Sequence, residues 1–183
     1  LADRVETAST ATIQNIDTGD GDDTIVHGSG TVGYFIAGAG NDNITISGTV
    51  SSVGDGGIGD DTIIVTESGL VDDISGGNDN DTITVEGTVH DITAGDGNDN
   101  ITVSGTVNGT VDGQEGEDVI TVTESGVVYP AYGGADKDSI VIAGNAGVVA
   151  GDFASSNQVG ADDVITITST GTANNVYSEG GND

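Results

Sequence analysis

The chain has 183 residues, of which 32 are Gly and only 3% are aromatic, so its composition excludes a core built from large side chains. It contains no Cys, which rules out a disulfide framework and a thiolate metal site. Two basic residues face 31 acidic ones, giving a formal charge of −29 that would repel a nucleic acid. No apolar run approaches the roughly 18 residues of a membrane span.

The first residues of the chain differ from the rest. Residues 1–12 match none of the repeats described below, and we expect an N-terminal cap or a disordered lead-in there. The sequence begins Leu1-Ala2-Asp3-Arg4, with neither an initiator Met nor a signal-like apolar stretch. It ends within a motif that is used repeatedly upstream. We therefore expect residues 13–183 to be a single repeat domain that is part of a longer chain.

From residue 13 onward, one aspartate recurs every 18 to 25 residues. Ile follows two positions after each of the first eight, and two positions further on the residue is β-branched in every repeat except the first, which has His27. This alternation has a period of two and predicts a strand. The recurring residues are Asp23, Asp42, Asp61, Asp81, Asp99, Asp118, Asp138, Asp163 and, at the end of the chain, Asp183.

Repeats of this length that contain only strands and turns cannot bury their own apolar row. Successive coils must therefore stack at about 4.8 Å, with each strand pairing in parallel with its counterpart in the next coil. We predict an all-β, right-handed parallel β-solenoid of about eight coils, the hand following from the preference of parallel crossovers. Val107 and Val111 should point inward, and the extra residues around Ala154–Gln158 should form a loop.

A glycine-rich turn, Gly-x-Gly-[Asn/Asp]-Asp, precedes most of the recurring aspartates. Glycine permits positive φ and turns carbonyl oxygens inward, while the aspartate adds a carboxylate. An oxygen-only cage of this kind suits a hard cation of calcium's size rather than zinc or copper. The turn glycines are Gly19, Gly21, Gly38, Gly40, Gly57, Gly59, Gly77, Gly95 and Gly97.

These turns resemble the nonapeptide G-G-x-G-x-D-x-U-x of the repeats-in-toxin (RTX) family, which builds a calcium-loaded parallel β-roll. The segment from Gly76 to Thr84 fits that pattern except at Asp79. Only one half of each coil carries the nonapeptide, so calcium would line one edge. In this respect residues 13–183 are similar to the one-sided, 19-residue β-solenoids of calcium-dependent, ice-binding RTX adhesins.

The resemblance implies a ladder of calcium carboxylates with about six to eight ions, each shared between adjacent coils through backbone oxygens of the glycine turns. The implied carboxylates are Asp23, Asp42, Asp61, Asp81, Asp99, Asp118, Asp138 and Asp163, with Asp183 and the adjoining Asp22 and Asp60 as further candidates. The turns before Asp118, Asp138 and Asp163 depart from the pattern, and calcium there is left open.

A metal-free alternative exists because Asp, Asn and Gly are ordinary turn formers. Charge argues against it, since neighbouring aspartates in a ladder spaced about 4.8 Å apart would repel by about 1 kcal/mol or more per pair. The sequence therefore favours calcium.

Ice binding is an alternative function that the resemblance raises. In the ice-binding relatives, Thr and Asn form two regular ranks along the calcium edge. Here the Thr rank is absent, because its positions are Asp20, Ala39, Ile58, Asn78, Asp96 and Glu115. A second candidate face is the outward row Val26, Thr45, Ile64, Thr84, Thr102, Thr121, Val141 and Thr166, although Thr is also a favoured strand residue.

Catalysis is not predicted. Enzymes that act on uronates need basic residues and an acid–base pair. This chain offers His27 and His90 at non-equivalent positions of different coils, and we interpret His27 as an end-coil substitution in the inward row. The four tyrosines, Tyr34, Tyr129, Tyr132 and Tyr177, either pack inward at irregular coils, which we favour, or contact a glycan, a surface or another chain.

Together these patterns predict a non-enzymatic, calcium-binding structural module of a secreted or cell-surface bacterial protein. It would serve as an adhesin extender, a surface-layer component or a subunit of an extracellular filament, folding on calcium binding outside the cell. Its partners would be calcium ions and neighbouring copies or flanking domains of the same large protein. A non-catalytic module of a polysaccharide-modifying enzyme is a more distant alternative.

Overall fold

The computed structural model describes residues 1–7, 12–152 and 161–178, and within them the chain forms twenty β-strands in two sheets. No helix in these residues is long and apolar enough to cross a membrane. Numbered in chain order, the strands of sheet A are β1 (Arg4–Thr7), β3 (Thr24–His27), β5 (Asn43–Ile46), β7 (Thr62–Val65), β9 (Thr82–Val85), β11 (Asn100–Val103), β14 (Val119–Val122), β17 (Ser139–Ile142) and β19 (Val164–Ile167). Those of sheet B are β2 (Thr12–Asp20), β4 (Thr31–Ala39), β6 (Thr49–Ile58), β8 (Leu70–Asn78), β10 (Thr88–Asp96), β12 (Thr106–Val107), β13 (Val111–Glu115), β15 (Val127–Val128), β16 (Ala131–Ala135), β18 (Asn145–Asp152) and β20 (Thr172–Tyr177).

Equivalent residues of successive coils lie side by side, because the strands pair in parallel at the repeat spacing. In sheet A, Ile44 pairs with Ile25 on one side and with Ile63 on the other. Each coil runs from a recurring aspartate through a strand of sheet A, around a corner, along sheet B and into the glycine turn. The prediction of a parallel β-solenoid of about 8 turns is confirmed.

The core lies between the two sheets and consists of stacked rows of aliphatic side chains. Sheet A contributes a fully buried isoleucine row, Ile25, Ile44, Ile63, Ile83, Ile101, Ile120 and Ile140. Sheet B faces it with smaller residues, among them Val107 and Val111, which are buried as predicted. Each coil supplies only a few of these side chains, so its apolar surface is covered only by its neighbours. Large aromatic residues are not needed for such a narrow core.

Phe35 is an exception in this core. Its ring is fully buried and lies against Gly54 in the next coil. A Cβ added to Gly54 would contact Cζ of that ring and lie 3.1 Å from Cε2. The pairing of β4 with β6 also shifts register between Val32 and Phe35. Gly54 therefore leaves the space that the Phe35 ring fills.

The tyrosine prediction is wrong for Tyr34, Tyr129 and Tyr177, whose side chains are exposed rather than packed inward. Alternation along the strands gives the physical reason for two of them. Tyr34 adjoins the buried Phe35, and Tyr129 adjoins the buried Val128, so each tyrosine ring points to the opposite side.

The chain begins with an additional strand of sheet A. Arg4 pairs with Thr24 and Thr7 with His27, and the N–H of Asp3 donates to Oδ1 of Asp23 at 2.6 Å. Residues 3–7 thus repeat the later pattern, although the sequence spacing placed the first coil at residue 13. The loop expected at Ala154–Gln158 and the motif ending at Asp183 lie outside the described residues.

His27 occupies the inward row of the first coil, as the sequence indicated. Its side chain is fully buried, with Nδ1 2.8 Å from Oγ1 of Thr7 and Nε2 3.2 Å from the carbonyl oxygen of Thr49. Burial lowers the pKa of His27, which favours the neutral ring. These contacts indicate a structural role in the first coil.

Candidate metal centre

A row of buried aspartates lies where each glycine turn meets a strand of sheet A. We call this row the aspartate ladder; its members are Asp23, Asp42, Asp61, Asp81, Asp99, Asp118, Asp138 and Asp163. Each of the first seven is at most 2% exposed, and Asp163 is 6% exposed. Carboxylates are almost never buried without a partner. Their burial in every coil therefore points to a function for the row.

One carboxylate oxygen of each ladder residue is fixed by the preceding coil. The N–H of Asp42 donates to Oδ1 of Asp61 at 2.7 Å, and the N–H of Asp61 donates to Oδ1 of Asp81 at 2.8 Å. The same bond joins Asp23 to Asp42, Asp81 to Asp99, Asp99 to Asp118, Asp118 to Asp138 and Asp138 to Asp163. Oδ1 therefore sets the orientation of each carboxylate.

The second carboxylate oxygen has a different environment. Oδ2 is buried, and no donor among the described residues reaches it in Asp23, Asp42, Asp61, Asp81, Asp99, Asp118 and Asp138. A buried polar atom without a partner costs about 1–3 kcal/mol, and more when it is charged. These coils thus each hold an oxygen atom that would be stabilised by a proton or a cation.

Beside Gly56, Gly76 and Gly113, a carbonyl oxygen of the next coil faces the same point as the Oδ2 atom of Asp61, Asp81 or Asp118. A Cβ added to Gly56 would contact Oδ2 of Asp61 and lie 2.6 Å from the carbonyl oxygen of Gly76. A Cβ on Gly76 would contact Oδ2 of Asp81 and lie 2.5 Å from the carbonyl oxygen of Ala94. Because the glycines lack a side chain, two buried oxygens from adjacent coils converge on one small space. Calcium prefers oxygen ligands, and a carboxylate oxygen and a backbone carbonyl oxygen are both ligands of this kind.

The glycine turns hold these oxygens by a left-handed backbone. All nine predicted turn glycines, Gly19, Gly21, Gly38, Gly40, Gly57, Gly59, Gly77, Gly95 and Gly97, have φ between 85° and 145°. The turns before Asp118 and Asp138 lack some of these glycines but keep the left-handed conformation. In them, Gln114 has φ 81° and Asp136 has φ 71°. The backbone that positions Asp118 and Asp138 is therefore the same as in the regular coils.

Asp22 and Asp60, the two other predicted carboxylates, lie on the outer side of the turns and are exposed. Oδ1 of Asp22 accepts the N–H of Asn41 at 3.0 Å, and Oδ1 of Asp60 accepts the N–H of Asn80 at 2.9 Å. These bonds from Asn80 lower the pKa of Asp60. The structure therefore places Asp22 and Asp60 in an outer ladder of hydrogen bonds, apart from the buried Oδ2 atoms.

Burial makes the inner ladder electrostatically costly. It raises the pKa of Asp61 and Asp118 to about 7 and that of Asp81 and Asp138 to about 8, with neighbouring carboxylates adding to the effect. Desolvation disfavours the charged form, and like charges nearby disfavour it further. Asp61, Asp81, Asp118 and Asp138 therefore keep a proton to a higher pH than an ordinary aspartate does.

Sequence reasoning missed the residue that lies five positions before each ladder aspartate. This row is small throughout the described coils: Thr18, Ala37, Gly56, Gly76, Ala94, Gly113 and Gly133. Small side chains are required because the row faces the carboxylates, as the contacts of Gly56, Gly76, Gly113 and Gly133 show. Its periodicity was visible in the sequence and could have identified it.

The fold and this ladder define a parallel β-solenoid with a row of buried carboxylates along one edge. No protein-family model and no curated protein match the chain. Among solved structures, it is similar to a hyperactive, Ca²⁺-dependent, β-helical antifreeze protein from an Antarctic bacterium, known from an X-ray crystal structure. The two chains are 26% identical with a TM-score of 0.61, and the match covers 97% of this chain and 75% of the other. The resemblance to an RTX-type, calcium-dependent β-helix is thereby confirmed.

Proposed function

We propose that this chain is a calcium-dependent structural module whose β-solenoid forms when calcium occupies the aspartate ladder. The observation that carries the proposal is the buried Oδ2 of Asp61, Asp81 and Asp118, which meets a carbonyl oxygen of the next coil beside Gly56, Gly76 and Gly113, respectively. The calcium dependence of the similar antifreeze protein supports the same assignment. Bound calcium would supply the positive charge that these oxygens lack.

The residues of the ladder explain how calcium and folding are coupled. In the unfolded chain the carboxylates are hydrated and the net charge of −29 favours an extended chain. In the folded chain the N–H groups of one coil align the carboxylates of the next, so the ligand atoms converge only in the solenoid. A cation that binds the folded state alone stabilises it by mass action.

We infer that the module works outside the cell, where calcium is abundant, as a stiff segment of a secreted or surface-bound bacterial protein. The candidate settings for such a segment are an adhesin extender, a surface layer and an extracellular filament. Stacked parallel coils at about 4.8 Å make the element rigid along its axis. Neighbouring copies or flanking domains are the expected partners, and no catalytic role is proposed.

A far-UV circular dichroism titration of the metal-free protein tests this function. Calcium should drive a cooperative transition from coil to β-structure in the range of about 10⁻⁴ to 10⁻³ M that is typical of extracellular modules. Magnesium, which demands a smaller octahedral site, serves as the control and should be far less effective. A β-spectrum that is unchanged by chelation would remove the calcium function.

Ice binding is the second candidate function, and the outer surface of sheet A favours it. Two outward rows run in register from β3 to β19 of this sheet, and none of their residues in these strands is charged, whereas β1 continues the rows with Arg4 and Glu6. We call them the neutral face: Thr24, Asn43, Thr62, Thr82, Asn100, Val119, Ser139 and Val164, with Val26, Thr45, Ile64, Thr84, Thr102, Thr121, Val141 and Thr166. By contrast, sheet B carries Asp17, Asp55, Asp72, Asp73, Asp91 and Asp112.

A matched pair of variants tests the neutral face in an ice-recrystallisation assay with calcium present. Thr102→Lys places a charge in the middle of the face and should abolish inhibition of recrystallisation, because a hydrated ammonium disrupts ordered water on a flat surface. Thr93→Lys places the same charge on sheet B and should leave the activity unchanged. Inactivity of the unmodified, calcium-loaded chain would exclude ice binding while leaving the calcium proposal intact.

A further inference from the structure

The corner of sheet B carries a second group of metal-ligating side chains, remote from the aspartate ladder. Asp72 and Asp73 lie in β8, and His90 and Asp91 lie in β10. Val89 pairs with Val71 and Asp91 pairs with Asp73, so the register of the two strands places His90 opposite Asp72. One ligand atom each of Asp72, Asp73 and His90 lies within 4.8 Å of the other two.

The imidazole of His90 is oriented by a carboxylate that is itself fixed. Nδ1 of His90 lies 2.9 Å from Oδ2 of Asp91, and Oδ1 of Asp91 accepts the N–H of Thr110 at 2.5 Å. Oδ1 of Asp73 lies 3.7 Å from the same Nδ1, and a proton on Nδ1 shared with Asp91 would leave Nε2 as the nitrogen able to bind a metal. A histidine that ligates a metal through one ring nitrogen usually donates its other N–H to a carboxylate or carbonyl.

The charge at this corner is not neutralised by basic side chains. Among the described residues, neither Arg4 nor Lys137 forms an ion pair with Asp72, Asp73 or Asp91, and Arg4 is paired with Glu6. Three carboxylates therefore share one imidazole in a chain of strongly negative charge. A divalent cation would relieve this repulsion.

We propose that Asp72, Asp73 and His90 bind a borderline divalent cation of the Zn²⁺ or Ni²⁺ class, with Asp91 as the positioning residue. An imidazole ligand selects this class over calcium, which prefers oxygen ligands alone. The ligands come from two adjacent coils, so the bound ion clamps β8 to β10. This site does not depend on the identity of the ion in the aspartate ladder.

The two histidines of the chain provide an internal control. His27 is fully buried in the first coil, whereas the His90 side chain is 58% exposed at the proposed site. Zn²⁺ is added to the calcium-saturated full chain, and the imidazole resonances are followed by ¹H–¹⁵N NMR. One equivalent of Zn²⁺ should shift the ring nitrogens of His90 and leave those of His27 in place.

Variants separate a built site from a lone surface histidine. Asp72→Asn combined with Asp73→Asn should raise the Kd for Zn²⁺ at least tenfold, and Asp91→Asn should weaken binding by about 10–100-fold by releasing the ring. Glu124→Gln, which removes an exposed carboxylate elsewhere, should have no effect. The proposal is overturned if His90 does not respond to one equivalent of Zn²⁺, or if the Asp72 and Asp73 variant binds as tightly as the parent.

Discussion

The N–H of Asp61 donates to Oδ1 of Asp81 across a coil boundary at 2.8 Å, while Oδ2 of the same carboxylate is buried without a donor among the described residues. Asp81 is thus aligned by one oxygen and destabilised by the other. Burial, together with the charges of Asp61 and Asp99, raises the pKa of Asp81 to about 8. Removing its charge should therefore have opposite effects in the presence and in the absence of calcium.

Asp81→Asn should stabilise the metal-free solenoid and weaken calcium binding. The amide keeps an acceptor for the N–H of Asp61 and can donate to the carbonyl oxygen of Ala94, which faces the same point as Oδ2. Relief of a buried unpaired charge is worth about 1–3 kcal/mol, and a lost charged ligand should lower calcium affinity by about tenfold. The measurement is the difference in Tm between calcium-saturated and chelated protein, which should shrink.

Asp60→Asn is the matched control, since Asp60 is exposed and lies in the outer ladder. Its amide oxygen still accepts the N–H of Asn80, so the calcium-dependent difference in Tm should remain close to that of the parent. Equal behaviour of the Asp60 and Asp81 variants would contradict the assignment of the inner row as the calcium ligands.

Stability should depend on pH in opposite directions with and without calcium. The folded, metal-free chain has raised pKa values of about 7 for Asp61 and Asp118 and about 8 for Asp81 and Asp138, so it binds more protons than the unfolded chain. This contribution to stability is present below the ordinary pKa of aspartate, about 4, and is lost as pH rises towards 8. The metal-free Tm should therefore fall between about pH 4 and pH 8.

Calcium competes with the same protons, so its apparent affinity should rise over this pH range. Isothermal titration at pH 6 and at pH 8 measures the change, and proton release on binding should be visible as a dependence of the heat on the buffer. A metal-free Tm that increases with pH would contradict the burial of the ladder carboxylates.

The sequence predicted the regular part of this molecule because its period is carried by side chains that alternate inward and outward. The recurring Asp and Ile positions were sufficient to assign the stacking register and the inward row. Side-chain contacts between coils were harder to predict from the sequence, because they depend on which small residue of one coil lies against which large residue of the next. Phe35 against Gly54 and Gly56 against Asp61 are contacts of this kind. Tyr34 and Tyr129 were misassigned because they were interpreted as inward residues of irregular coils, whereas each adjoins a buried residue and therefore faces outward.

Gly57 and Gln114 occupy equivalent positions in the turns of two different coils, and substitutions at the two should change the free energy of unfolding in opposite directions. Gly57 has φ 119°, and a Cβ there would contact the carbonyl oxygen of Gly38. Gly57→Ala should therefore destabilise the calcium-loaded solenoid by about 1–3 kcal/mol. Gln114, which occupies the equivalent position with φ 81°, is already strained, and Gln114→Gly should stabilise by up to about 1 kcal/mol. Urea unfolding in excess calcium measures both changes, and a loss of stability in Gln114→Gly would show that its turn differs from the regular ones.

The contact between Phe35 and Gly54 can be tested by a double-mutant cycle. Phe35→Ala removes a fully buried ring and should cost about 3–5 kcal/mol, whereas Tyr34→Ala, at the exposed neighbouring position, should change stability by no more than about 0.5 kcal/mol. Gly54→Ala should destabilise the parent because its Cβ contacts the ring, and should be tolerated once Phe35 is Ala. Additive effects in the calcium-loaded protein would mean that the ring does not occupy the space beside Gly54.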